Sequence, residues 1–179
     1  MKRNLLFTLI TALLFISLSC SKKSQNPREL SEEEARIEAV LQRASFQSMD
    51  GKEVYLSDFA GKVVMIDFWE TWCGPCLMVF PAMDSLRKEY PNDFTVLAVN
   101  TLTADEQTDV EEFISNNNYD FNFSLDANDV GAEVISLGIP FKVYIDPQGF
   151  LIKAELGSAG TEGDYLKAKT IIEDNKKTK

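Results

Sequence analysis

VVMIDFWETWCGPCLMVFPAMDSL, residues 63–86, decides how the rest of the chain is read. Its first seven residues form an apolar run broken by one acid, Asp67, the pattern of a strand buried on both faces. Two cysteines, Cys73 and Cys76, follow with Gly74 and Pro75 between them. A helical stretch then runs to about Tyr90, where Pro91-Asn92-Asp93 stops it. A strand that passes directly into a helix places Cys73 at or near the helix N-terminus. There the unpaired N–H groups and the helix dipole favour a thiolate. Pro75 suits the first turn, because its missing N–H would have had no partner there. Gly74 leaves room for another backbone to come close. Cys76 falls one helical turn further in, within disulfide reach of Cys73 and more buried. In such a pair the outer thiolate attacks and the inner thiol resolves.

Composition narrows what a C-x-x-C pair can mean. The chain of 179 residues contains three cysteines and no histidine. A zinc site needs about four ligands, and one C-x-x-C pair with no histidine supplies two. The missing histidine also removes Cys-His and Ser-His-Asp hydrolysis. A structural disulfide gains stability from closing a long loop, and a two-residue spacing closes almost none. Redox catalysis is the reading these arguments favour. The formal charge of −10 argues against nucleic-acid binding, since phosphate contacts need a basic surface, and is otherwise an aid to solubility. No metal and no cofactor beyond a Cys73–Cys76 redox disulfide is expected.

Around that centre the chain alternates strands and helices. SEEEARIEAVLQRA reads as a helix with Ser31 as N-cap and Glu34 completing a capping box. FQSMDGKEVYLSDFAGK reads as a hairpin turning at Asp50-Gly51, with a short turn at residues 57–61. FTVLAVN is a second buried strand. Thr103 is then expected to cap a helix over about residues 104–116, with Glu106 in the capping-box position. NNNYDFNFSLD leads into a short strand, and DVGAEVISLG into a short helix ending at Gly138. KVYID and FLIKAEL form a hairpin across residues 146–149, and a last helix covers about 161–176. The sum is one α/β domain with a mixed sheet and helices on both faces.

The active-site segment resembles that of thioredoxins, which read VDFWAxWCGPC with a proline five residues after the second cysteine. Pro81 stands in that place. The longer pattern GKEVYLSDFAGKVVMIDFWETWCGPC, with the extra α/β stretch before LGIPFKVYID, resembles the extracytoplasmic TlpA/ResA-type oxidoreductases over roughly residues 44–176. That resemblance implies a thioredoxin fold with an N-terminal β-hairpin and a central α/β insertion. It implies that Pro140 is the family's cis-proline, beside the cysteines, and that the backbone of Ile139 binds the substrate chain. With Trp72, Gly74 and Pro75 these residues form the expected substrate-binding edge. Phe141 replaces the commoner threonine after that proline and reads equally well as a core aromatic. Asp67 matches the buried strand aspartate of thioredoxins, a candidate acceptor for the Cys76 proton during resolution. Glu70 replaces a small residue. Its charge, three positions before Cys73, would disfavour the thiolate, unless the side chain points to solvent. Trp69 and Trp72 are expected to pack around the site, Trp72 the more exposed. Met65, Met78 and Met83 read as packing residues.

The first residues, MKRNLLFTLITALLFISLSC, carry Lys2 and Arg3, then an apolar stretch too short to span a membrane comfortably. They resemble a bacterial lipoprotein signal: residues 1–19 as signal peptide, Cys20 as the lipidated N-terminus, 20–30 as a flexible tether and 31–179 as the thioredoxin-like domain. The usual lipobox leucine is one position late, at Leu18. These features point to a cell-envelope, membrane-anchored thiol–disulfide oxidoreductase. Its expected partners are protein disulfides, in cytochrome c maturation or general disulfide repair, and a membrane electron donor that re-reduces it. Two other functions share this fold. One is a peroxiredoxin-like thiol peroxidase, although its threonine three residues before the cysteine is Glu70 here. The other is a non-catalytic binding protein.

Overall fold

The computed structural model describes residues 30–176. The expected signal peptide, the lipidation site Cys20 and nearly all of the tether lie outside them. The chain begins with α1 (Glu32–Leu41), whose Ser31 N–H donates to Glu34 Oε2 at 2.9 Å while the Glu34 N–H donates back to Ser31 Oγ at 3.2 Å. This is the capping box read from the sequence, and Ile37, Val40 and Leu41 form the helix's buried face. Strands β1 (Ser45–Ser48) and β2 (Glu53–Tyr55) make the hairpin, turning at Asp50 and Gly51, whose φ of 83° suits glycine. A single 3₁₀ turn at Leu56–Phe59 leads into β3 (Val63–Trp69), in which every residue is buried.

The remaining elements are α2 (Gly74–Glu89), β4 (Phe94–Asn100), α3 (Gln107–Asn116), β5 (Asn122–Leu125), α4 (Val130–Val134), β6 (Phe141–Ile145), β7 (Leu151–Leu156) and α5 (Gly160–Asn175). Seven strands form one mixed sheet in the order β2-β1-β5-β4-β3-β6-β7, with β3 parallel to β4 and antiparallel to β6. Alternation along β3 divides the core. Val63, Met65 and Trp69 face the layer built by α2 and α5, while Val64, Ile66 and Phe68 face α1. Asp67 lies between Met65 and Trp69 in the pleat, on the face that carries Cys73 and Cys76. Met65 and Met83 are buried packing residues, and Met78 is exposed on α2.

Three helix boundaries differ from the sequence reading, the first being that of α1, which ends at Leu41 rather than at Ala44. Helix α3 starts at Gln107 rather than near residue 104, and its cap is Glu106, whose N–H donates to Asp109 Oδ2 at 2.7 Å. Thr103 is not a cap, because the backbone N–H groups of Thr103 and Ala104 already donate to the Glu70 carboxylate. Asp105 is likewise tied to Thr71 and Asn100, so residues 101–105 are held as a loop. Helix α4 ends at Val134, not at Gly138. The chain leaves it through extended Ile135, and Gly138, at φ 143°, sits in the loop before Pro140.

Candidate active site

Strand β3 ends at Trp69, and a four-residue connection reaches α2, whose N-cap is Cys73. The Cys76 N–H points at Cys73 Sγ from 3.3 Å, so the sulfur occupies the capping position where the helix dipole stabilises negative charge. Cys73 and Cys76 are joined in a disulfide. Pro75 lies in the first turn, as its missing donor allows. A Cβ built on Gly74 would meet nothing within 4 Å, so no part of this chain crowds it. The expected contrast in cysteine exposure is slight in this oxidised state, 3% for Cys73 against 0% for Cys76. The exposed group is Trp72, at 63%. Trp69 is fully buried, edge-on to Phe80 and Phe123.

The Ile139–Pro140 peptide bond is cis, and the Pro140 carbonyl accepts from the Gly157 N–H at 2.8 Å. Phe141, directly after it, is a buried residue of β6 packed with Phe68, Leu97 and Val143, a core aromatic. Trp72 and Ile139 border a cavity of about 320 Å³, to which Glu70, Thr101, Asp126 and Ile135 also contribute.

The two acids of this segment lie in opposite environments. Asp67 is fully buried, and neither of its carboxylate oxygens has a hydrogen-bond partner among the described residues. Burial pushes its proton affinity well above the usual carboxylate range. Lys142 pulls it back in part, and Asp164 adds to the rise. Glu70 is also buried, which excludes the solvent-pointing alternative. Its carboxylate accepts from Trp72 Nε1 (2.5 Å), the Thr103 N–H (2.9 Å), the Ala104 N–H (3.1 Å) and the Thr101 hydroxyl. Burial works to raise this group too, but the hydrogen bonds from Thr101, Trp72 and Thr103 outweigh it and hold Glu70 below its ordinary value. It is a fixed anion that ties the exposed Trp72 to the loop after β4.

The model of the Redoxin family matches residues 37–172. The chain belongs to the Redoxin family. The thiol-disulfide oxidoreductase ResA of Bacillus cereus is 31% identical over 175 residues, which is 93% of this chain and 98% of that protein. StoA from Bacillus subtilis superimposes with a TM-score of 0.57 at 25% identity, covering 71% of this chain and 95% of its own. An exposed lipoprotein thioredoxin from Streptococcus pneumoniae does so with a TM-score of 0.57 at 26% identity, covering 71% and 98%. This redoxin is thus a TlpA/ResA-type thioredoxin-like protein with a thioredoxin fold, and a thiol-disulfide oxidoreductase.

Sequence reasoning missed three charged residues on the cysteine face of this redoxin, Lys142 with its partners Glu155 and Asp164. Lys142 is completely buried on β6, directly opposite Asp67 in the strand register. Its signal was present in FKVYI, a lysine inside a strand otherwise apolar or aromatic. Apart from Trp72, the contacts of Glu70 had no local signal, since Thr101, Thr103 and Ala104 lie more than thirty residues away in sequence.

Proposed function

We propose that this redoxin reduces disulfides in exported proteins from an anchored position at the cell envelope. The observation that carries the proposal is the Cys73–Cys76 pair at the N-terminus of α2, on the sheet face that also holds the unpartnered acid Asp67. In the reduced enzyme the Cys73 thiolate attacks one sulfur of a partner disulfide and expels the other as a thiolate. Cys76 passes its proton to Asp67 and attacks Cys73 Sγ. The Cys73–Cys76 bond forms, the mixed disulfide breaks, and the partner leaves with two added electrons. Trp72, Gly74, Pro75, Ile139 and Pro140 form the edge along which the partner chain lies. A membrane dithiol donor then re-reduces the pair, and no other cofactor takes part.

The leader at residues 1–19, lipidation at Cys20 and a tether to residue 30 belong to the same proposal. They rest on the N-terminal sequence pattern and on the likeness to an exposed lipoprotein thioredoxin. Within this reading, maturation of c-type cytochromes, through reduction of apocytochrome cysteines, comes ahead of general disulfide repair. The test is trapping with Cys76→Ala, which leaves Cys73 bonded to its partner. Capture of apocytochromes supports the first role and a diverse set of secreted proteins the second. A Cys76→Ala protein that captures no partner in the envelope would overturn the catalytic proposal in favour of binding alone.

A further inference from the structure

The register of three neighbouring strands sets charged residues in a row beneath α5. Asp67 on β3 pairs with Lys142 on β6, and Lys142 pairs with Glu155 on β7. Paired residues in adjacent strands project from the same face of the sheet, so carboxyl, ammonium and carboxyl follow one another across it. From the helix layer Asp164 closes on the middle of the row: Lys142 Nζ lies 2.6 Å from Asp164 Oδ1 and 3.1 Å from Glu155 Oε1. Asp164 is itself anchored, accepting from Ser158 Oγ at 2.5 Å and from the Ala159 N–H at 3.2 Å. The row runs from the interior to the surface. Asp67, Lys142 and Asp164 are fully buried, whereas the Glu155 side chain is 12% exposed and meets Lys153 Nζ at 2.9 Å.

Two carboxylates hold one ammonium in place, and that ammonium stands opposite a third carboxyl with no hydrogen bond of its own. We infer that Lys142 is the positioning residue for proton transfer at Asp67: its ammonium, fixed by Asp164 and Glu155, is the counter-charge against which Asp67 accepts and releases the Cys76 proton. The inference rests on the reading of Asp67 as proton acceptor given above. Other groups on this side of the sheet cannot take that part. Tyr144, two residues along β6, is buried with its hydroxyl unpartnered among the described residues and held protonated by burial and by the acids around it. On the other side of β3, the residue paired with Asp67 is Ala98. From the start of α2 come Cys73 and Cys76, which take part in the reaction itself. Asp164 opposes ionisation of Asp67, and Lys142 alone favours it. In the resolving step the Cys76 S–H bond breaks toward an ionised Asp67. The Cys73–Cys76 bond forms, the partner thiolate departs, and Asp67 later gives the proton to solvent.

The experiment follows the carboxyl carbon of Asp67 by NMR in the purified oxidised protein across a pH series, comparing wild type with Lys142→Met and Lys142→Arg. Loss of the ammonium should raise the Asp67 midpoint by about one pH unit or more, a tenfold gain in proton affinity. Arginine, which keeps the charge, should restore it. At a pH below the wild-type midpoint, turnover of a protein disulfide by Lys142→Met should fall about tenfold and recover as the pH is raised, because one unit of midpoint is a factor of ten. Should Lys142→Met fail to fold around its unpaired acids, Lys142→Met/Asp164→Asn removes both charges together. The midpoint should then rise by less, since the ammonium acts on Asp67 more strongly than Asp164 does. An unmoved Asp67 midpoint in a folded variant overturns the inference and leaves Lys142 a purely structural ion pair. Unchanged turnover in Asp67→Asn would instead remove the proton-acceptor reading, whatever the midpoint does in the lysine variants.

Discussion

Asp67→Asn isolates the energetic cost of placing a carboxyl in the middle of β3. The side chain is buried and has no hydrogen-bond partner among the described residues, so its charged form loses hydration and recovers only the attraction of Lys142. In strongly acidic solution the group holds its proton in folded and unfolded chains alike. As the pH rises past the ordinary value of 3.8 the unfolded chain releases that proton, whereas the folded chain keeps it up to the raised value. In this window the unfolded state binds fewer protons, so wild-type stability falls as pH rises, by about 1.4 kcal/mol per pH unit from this group alone. Asparagine carries no such proton. Its buried amide costs about 1–3 kcal/mol at every pH if it finds no partner, which offsets the comparison without tilting it.

The slope of the difference is therefore the quantity to measure. Urea unfolding of the oxidised proteins, wild type and Asp67→Asn in matched buffers from about pH 4.5 to 8.5, gives that difference with all other titrating groups cancelled. The variant should gain on wild type by about 1.4 kcal/mol for each pH unit, until the folded protein itself ionises at Asp67. In thermal unfolding each kcal/mol corresponds to about 2–4 °C for a chain of this size. A difference that stays constant across the range would show that Asp67 has the same proton affinity in both states. The assignment of a buried, unpartnered carboxyl would then be wrong.

Two further substitutions test the surroundings of the site. Glu70→Ala removes an acceptor used by two backbone N–H groups, the Trp72 indole and the Thr101 hydroxyl; with water satisfying part of what is left, it should cost about 3 kcal/mol. Differential scanning calorimetry at neutral pH checks this, and the deficit should shrink in acid, because a depressed carboxyl contributes stability above 4.5 and loses it as the pH falls through its folded value. Gly131→Ala should cost about 1–3 kcal/mol in chemical denaturation, since the new Cβ would sit 2.8 Å from Asp126 Oδ2, the atom that accepts the Gly131 N–H.

What the sequence showed and what it hid divide along one physical line. The buried strand β3, the helix beginning at Cys73, the capping box of α1 and the two hairpins follow from patterns a few residues long, and all stand where those patterns put them. The cis bond at Pro140 was legible only through family resemblance, because nothing in GIPF alone selects it. The start of α3 was misplaced because Thr103 has a good local capping pattern but a better distant partner in Glu70. Lys142 was passed over for the same reason: its counter-ions lie on β7 and α5, and only the strand register brings Asp67 opposite it.

Asp67 and Glu70 show why burial alone does not assign a role to an acid. Three residues apart, both are buried, yet one is pushed toward its neutral form and the other held in its charged form. The difference lies in the donors. Alternation along β3 turns Asp67 onto the buried cysteine face, where no N–H or O–H among the described residues donates to it, so its charge is answered by the ammonium of Lys142 without a hydrogen bond. Glu70 lies just past the end of the strand, where the loop after β4 turns its backbone N–H groups inward and Trp72 adds a third. A carboxylate with four donors keeps its charge through the catalytic cycle, so Glu70 can affect Cys73 only as a constant field and by fixing Trp72. Asp67, with none, is the acid of this segment whose protonation can change as the disulfide opens and closes. Of the two acids, then, Asp67 is the one whose charge state can change, with its proton held well above the usual carboxylate range.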